Sequence, residues 1–189
     1  MKTNGKLTLI IISSLLLVVF VSGCTSNSKS YNGTVYSFNY PDDWNVTWES
    51  NTSNYNGTTI LLNQNNGSQD AKITMTEIET NNSLNNYMNY FVDLYSQAYT
   101  NKENGTLAPY TNYQLISNQT LNINGLNGFD MLFKTSQTGL STDLPIYIEE
   151  VVLQKENKFY ELRLEYAPNV TSPYAHDDFM VMVNSLKIN

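Results

Sequence analysis

Aromatic and polar residues alternate over Tyr36-Ser-Phe-Asn-Tyr40, the chain turns at Pro41-Asp42-Asp43, and alternation resumes with Trp44, Val46 and Trp48. Period two on both sides of a Pro-Asp turn predicts two short strands meeting at a corner, their rings covering one sheet face. Each ring buries a large apolar area, so the stretch reads as core. Thr58 to Leu62 predicts a third strand. Ala71, Ile73 and Met75 predict a fourth, although Glu77 interrupts the apolar set and Ile78 falls on the other face.

The period then changes. Leu84, Tyr87, Met88, Phe91, Tyr95 and Ala98 recur at helical spacing behind Ser83 or Asn82 as N-cap, and predict a helix ending near Thr100. Asn101 to Asn112 reads as a long, mostly polar loop holding Pro109. From Tyr113 the pattern returns to strands. Leu121 and Ile123 alternate, Asn124-Gly-Leu-Asn-Gly128 turns, and Phe129, Met131 and Phe133 alternate again, a hairpin with good turn chemistry. After a second polar loop, Gln137 to Leu144, Ile146 to Leu153 and Phe159 to Tyr166 flank the turn Lys155-Glu-Asn-Lys158. Ser172-Pro173 then opens a closing helix whose buried stripe is Ala175, Phe179, Val183 and Leu186.

The opening aromatic-x-aromatic-x-Tyr-Pro-x-x-Trp-x-Val is followed by a helix starting Ser83-Leu84-Asn85-Asn86-Tyr87. A strand pair around Ile123-Asn124-Gly125 and a closing helix ending Ser185-Leu186-Lys187-Ile188 complete the series. In this order, from about Tyr36 to Ile188, the chain resembles PsbP-like domains. These are relatives of the extrinsic PsbP subunit of photosystem II, found widely as small secreted or lipid-anchored proteins. The resemblance implies an α+β domain, an antiparallel β-sheet flanked by helices on both faces (a PsbP-like α/β/α sandwich). It also implies adapter or accessory roles more often than catalysis.

The N-terminal residues add an address. Lys2 and Lys6 precede an apolar run, Leu7 to Phe20, and Val21-Ser22-Gly23 leads into Cys24. This is the pattern of a lipoprotein leader, removed before Cys24 is acylated. The run is short of the roughly 20 apolar residues a membrane span needs, and retention as an uncleaved anchor is the alternative. Cys24 is the only cysteine, so no intramolecular disulfide, CxxC redox site or thiolate cluster can form. The expected organisation is a leader over residues 1–23, a flexible tether over 24–34 that is too polar to pack, and a globular domain over 35–189.

Charge narrows the partners. Removing 23 of 189 residues leaves 166, one domain with room for a sizeable core. The leader takes two of ten basic residues, leaving eight against 17 acidic ones and a net charge of −9, with Arg163 the single arginine. Such a surface is repelled by phosphate backbones and by anionic lipid alike, so nucleic acid is excluded and membrane attachment falls to the lipid. Nine Asn-x-Ser/Thr sequons start at Asn32, Asn45, Asn51, Asn56, Asn66, Asn81, Asn104, Asn118 and Asn169, and are candidate glycosylation positions.

Candidate chemistry is sparse. No HExxH, GxSxG, P-loop or GxGxxG occurs. His176, the only histidine, sits in the first turn of the closing helix beside Asp177 and Asp178, where acidic groups complement the helix dipole. One imidazole and side chains splayed around a helix make a poor metal cage. Asp42-Asp43 reads as turn chemistry. Glu149 and Glu150, adjacent in a strand, point to opposite faces and cannot act together. Solvated charge is the expectation for all four. Catalytic residues, metal and cofactor are therefore expected to be none. The reading is a lipid-anchored extracytoplasmic accessory or binding protein holding another surface protein or complex. A carboxylate-dependent surface hydrolase and a structural envelope lipoprotein are the alternatives.

Overall fold

The corner at Pro41 divides the chain between two sheets. In the computed structural model, which describes residues 27–52, 57–64, 71–100, 110–137, 145–167 and 174–189, the smaller sheet has three strands. They are β1 (Ser28–Asn32), β2 (Tyr36–Pro41) and β10 (Lys187–Ile188), in the order β1-β2-β10. The larger sheet has the order β3-β4-β5-β9-β8-β7-β6. Its strands are β3 (Trp44–Thr52), β4 (Gly57–Gln64), β5 (Ala71–Glu79), β6 (Tyr110–Ile123), β7 (Leu126–Gln137), β8 (Pro145–Lys155) and β9 (Lys158–Tyr166). Every pairing in both sheets is antiparallel. Two helices complete the described residues, α1 (Leu84–Thr100) and α2 (Ala175–Ser185).

The helical stripe of α1 behaves as its spacing predicts. Ser83 Oγ accepts from the Asn86 backbone N–H at 3.3 Å, the N-cap bond. Tyr87, Phe91 and Tyr95 are buried against Phe129, Met131, Phe133, Ile148, Val152 and Phe159. Ring centroids lie 4.6 Å apart for Tyr87–Phe159 and 4.4 Å for Tyr95–Phe133. Each such burial contributes about 1.5–3 kcal/mol. A second core gathers α2, β2 and the other side of β8 and β9: Phe179, Met182 and Val183 with Tyr36, Phe38, Trp44, Val151, Leu162 and Leu164. Alternation along β8 assigns Ile148 and Val152 to the first core, Val151 and Leu153 to the second.

Both hairpins form where turn chemistry demands. Asn124 (φ 52°) and Gly125 (φ 84°) make the two-residue link between β6 and β7, both in the left-handed region that such links require. Glu156 (φ 54°) serves the β8–β9 turn.

Four expectations need correction. Residues 28–32 of the expected tether form β1, because backbone pairing with β2 requires no apolar side chains. Tyr31 stacks on Phe38 with centroids 5.1 Å apart, and Lys29 Nζ donates to the Asp42 and Trp44 carbonyls. Trp48 does not share the buried side of Trp44. The register slips between Val46 and Trp48, so Trp48 turns outward and is 49% exposed. The closing helix stops at Ser185, where extended backbone at Leu186 starts β10. Strand β6 begins at Tyr110, inside the expected loop. The segments 101–109 and 138–144, and the Ser172-Pro173 start of the closing helix, lie outside the described residues, as do the leader and Cys24.

Candidate functional site

Strands β8 and β9 carry charged residues where an apolar run would be expected at the sheet's centre. Glu149 and Glu150 are 1% and 0% exposed, so the expectation of solvated charge fails for both. The period-two deduction does hold: the two carboxyls leave β8 in opposite directions. Asp42 and Asp43 are exposed in the corner turn, Asp43 Oδ2 accepting from Gln64 Nε2 at 2.7 Å.

On the α1 side, Glu150 Oε1 accepts from Tyr95 Oη and from Arg163 Nη1 at 3.0 Å, while Arg163 Nη1 also reaches Tyr95 Oη at 2.5 Å. Arg163 Nη2 donates to Glu165 at 3.4 Å, and Tyr87 Oη donates to Glu161 at 3.2 Å. Arg163, Glu161 and Glu165 are alternate residues of β9, which places them on one side of the strand. A single guanidinium thus pairs with two carboxyl groups, and its charge acts on the third, Glu161. Burial pushes Glu150 up to about 8, the nearby Glu161 charge adds to this, and Arg163 and the Tyr95 bond oppose it. Glu161 and Glu165 are raised by burial as well. Among the described residues Glu150 Oε2 has no hydrogen-bond partner. A protonated carboxyl fits such an oxygen better than a carboxylate.

On the α2 side, His176 Nδ1 lies 2.7 Å from Glu149 Oε2. Burial pulls the imidazole down, but the Glu149 bond and charge, helped by Asp177 and Asp130, carry it above its ordinary value. Burial raises Glu149, and the His176 bond relieves it in part. Asp130 is buried beside the pair, with Oδ2 accepting from Gln119 at 2.9 Å and Oδ1 unpartnered among the described residues. Asp178, assigned by sequence to the helix dipole, also accepts the Trp44 indole N–H at 2.9 Å, and so fixes α2 to the corner. His176 and Glu149 could together take a proton from water, but among the described residues no three His, Cys, Asp or Glu gather as metal ligands.

Neither network was visible in the pattern, because the partners are far apart in sequence. The exposed aromatic side chains are a third candidate: Trp48 on β3, Tyr90 on α1 and Tyr174 just before α2. A polar depression of about 760 Å³ lies at the turn end, lined by Glu79, Thr80, Asn81, Glu156, Asn157 and Lys158. Lys158 pairs there with Glu77, which explains how an acidic residue interrupts the apolar set of β5. Of the sequon residues, Asn32, Asn45, Asn81 and Asn118 are exposed and Asn51 lies in β3, while Asn56, Asn66, Asn104 and Asn169 lie outside the described residues. Among the described residues no helix is long and apolar enough to cross a membrane.

No family model and no curated protein matches the chain. Solved structures do. Cyanobacterial PsbP (CyanoP) from Synechocystis superposes with a TM-score of 0.55 at 12% identity, covering 89% of this chain and 96% of that one. A mutant of the protein Mog1 gives 0.56 at 12% identity, covering 86% and 96%. LpqN of Mycobacterium tuberculosis, described as involved in cell envelope biogenesis, gives 0.46 at 13%, covering 92% and 96%. The chain has a PsbP-like fold, built, among the described residues, mostly of antiparallel sheet with two helices.

Proposed function

We propose that this chain is a non-catalytic accessory protein that holds a partner protein at the extracytoplasmic face of the membrane, anchored through lipid on Cys24. The observation that carries the binding reading is Trp48. A register slip turns an indole of large apolar area outward, next to Thr47, whose hydroxyl is engaged by the Leu61 carbonyl and Asn63. Exposed Trp and Tyr are enriched at interfaces. The opposite departures of Glu149 and Glu150, each bound to a different basic side chain, argue against two carboxyls working on one substrate. The PsbP-like fold fits an accessory role, and we read its helices as lying on both faces of the large sheet, one in each core.

Crosslinking in intact cells, followed by pull-down of the tagged full chain, tests the binding reading. A reproducible partner captured by the wild type and lost from Trp48→Ala is the expected result. No partner, together with hydrolytic turnover abolished by Glu149→Gln, overturns it in favour of the hydrolase alternative, for which the His176–Glu149 pair would be the base. Mass spectrometry of the N-terminus tests the anchor. An intact Met1 or an unmodified Cys24 overturns that part.

A further inference from the structure

Asn118 stands exposed on β6, the outer strand of the seven-stranded sheet, and forms an acceptor sequence with Gln119 and Thr120. Residues i and i+2 of a strand share a side, so Asn118 and Thr120 lie together, opposite Met131 and Phe129 of β7. The placement repeats. Among the described residues, acceptor asparagines within strands are Asn32 in β1, Asn45 and Asn51 in β3, and Asn118 in β6. Each of those strands is the outer strand of its sheet, and β2, β4, β5, β7, β8 and β9 carry none. Exposure alone would favour asparagine at an edge, but it does not require Ser or Thr two residues later.

Strand β6 is also the edge that most needs cover. Its 14 residues far exceed the roughly 5–6 of an average strand. An outer strand offers unpaired N–H and C=O groups to any second chain, and proteins blunt such edges with charge, proline or bulges. No Asp, Glu, Lys, Arg, Pro or Gly occurs from Tyr110 to Ile123, and Leu115 and Ile116 are exposed. Low charge, no proline and high strand propensity are the marks of an aggregation-prone segment. Register irregularities at Thr111/Gln114 and Leu115/Ser117 interrupt its N-terminal half, leaving Ser117 to Ile123 regular. Asn118 sits at the start of that regular half.

We propose that Asn118 carries an N-linked oligosaccharide that covers the outer edge of β6 and keeps it from pairing with a second copy of the chain. The proposal rests on the extracytoplasmic reading, because the sugar donor and its transferase act on exported chains. In the transfer, Asn118 Nδ2 bonds to C1 of a sugar carried on a lipid-linked phosphate donor. The bond from C1 to the phosphate oxygen breaks, the lipid phosphate leaves with the electron pair, and one amide proton passes to a base of the transferase.

The test uses the full chain from its natural host, with membrane-impermeant labelling of intact cells beside intact-glycopeptide mass spectrometry and light scattering of the purified protein. Surface labelling, a sugar mass on the Asn118 peptide that disappears in Thr120→Val, and a shift of that variant from monomer to larger species are the expected results. Thr120→Val keeps a β-branched side chain on an exposed site, and Asn118→Gln serves as a second variant should it misfold. A surface-labelled chain with an unmodified Asn118 peptide overturns the proposal and leaves the surface reading standing. A chain shielded from the label overturns both. A sugar whose loss leaves the protein monomeric overturns the edge-covering role.

Discussion

Glu149 and Glu150 are consecutive residues of β8, yet Glu149 meets His176 of α2 at 2.7 Å while Glu150 meets Arg163 of β9 at 3.0 Å on the opposite side of the strand. One dipeptide therefore ties each core to a basic side chain. Burying a carboxyl group is costly unless it is hydrogen-bonded, so each glutamate makes its partner structurally necessary.

Removal of Arg163 is the more damaging of the two losses. Arg163→Met leaves Glu150 fully buried with only Tyr95 to satisfy it. Leaving a buried carboxyl group without its hydrogen-bond donor costs about 1–3 kcal/mol. Chemical denaturation checks this, and Arg163→Met/Glu150→Gln, which replaces the stranded carboxyl with an amide that does not ionise, should recover part of the loss.

Glu150 also sets a pH dependence. Its folded value, about 8, lies above the ordinary 4.5, so the native state holds a proton that the unfolded chain releases. The stability this contributes is complete below about 4.5 and is lost as pH rises through about 8. Glu161, Glu165 and Asp178 are raised too, so the wild-type slope has several sources. The expected outcome is a shallower fall between those limits for Glu150→Gln, read as a difference of urea midpoints.

His176 gives a cleaner titration, because it is the only histidine in the chain. Its imidazole resonances should titrate above the ordinary 6.5 in the folded protein. A raised value means that the pair's stability is full below the unfolded value and is lost as pH rises through the folded one. Glu149→Gln removes the charge while burial and an amide hydrogen-bonding partner stay, so the NMR midpoint should fall. An unmoved midpoint would show that Glu149 does not hold the ring.

Much of this fold was legible because its signals are local. The stripe Tyr87, Phe91, Tyr95 and the hairpin turn opening at Asn124 are read within a few residues, and both formed. The turn closes in two residues, however, and Leu126 to Gly128, expected in it, belong to β7. The glutamates were misjudged because Arg163, Tyr95 and His176 lie 13, 55 and 27 residues from them. Only the pairing of β8 with β9 and the packing of two helices bring those partners in. Strand β1 was missed for a related reason: Ser28–Asn32 is held by backbone bonds to β2, which leave no hydrophobic pattern. Trp48 was misplaced by a single-residue slip that period-two counting cannot see.

The two glycines of Asn124-Gly-Leu-Asn-Gly128 serve different needs. Gly125 supplies a positive φ in open space, so Gly125→Ala should cost about 1–2 kcal/mol, the strain of a left-handed residue. A Cβ on Gly128 would lie 2.2 Å from the Val152 carbonyl oxygen and 2.8 Å from Leu153 Cδ2, which forces β7 away from β8. Gly128→Ala should therefore cost about 1–3 kcal/mol and broaden the amide signals of both strands, a disturbance that Gly125→Ala should not spread beyond the turn.

The two tryptophans separate stability from binding. Trp44 is fully buried, packed in the core with Phe179 and Leu62, and its indole N–H reaches Asp178 across 134 residues of chain. Truncating a buried aromatic costs about 3–5 kcal/mol, and Trp44→Ala also leaves the Asp178 carboxyl without its donor. Trp44→Phe keeps most of the ring but not the N–H, and should fall between the wild type and Trp44→Ala. Trp48 lies four residues on, beyond the register slip, with half its surface in water. Trp48→Ala should shift the unfolding midpoint by no more than about 0.5 kcal/mol, as for other surface changes. If its indole is the anchor of the interface, the same substitution should lower partner affinity by at least about 2 kcal/mol, roughly thirtyfold. Equilibrium denaturation and partner titration on the same three variants decide the matter. A destabilised Trp48→Ala would make the indole a structural residue, and unchanged affinity in a stable Trp48→Ala would move the binding surface elsewhere.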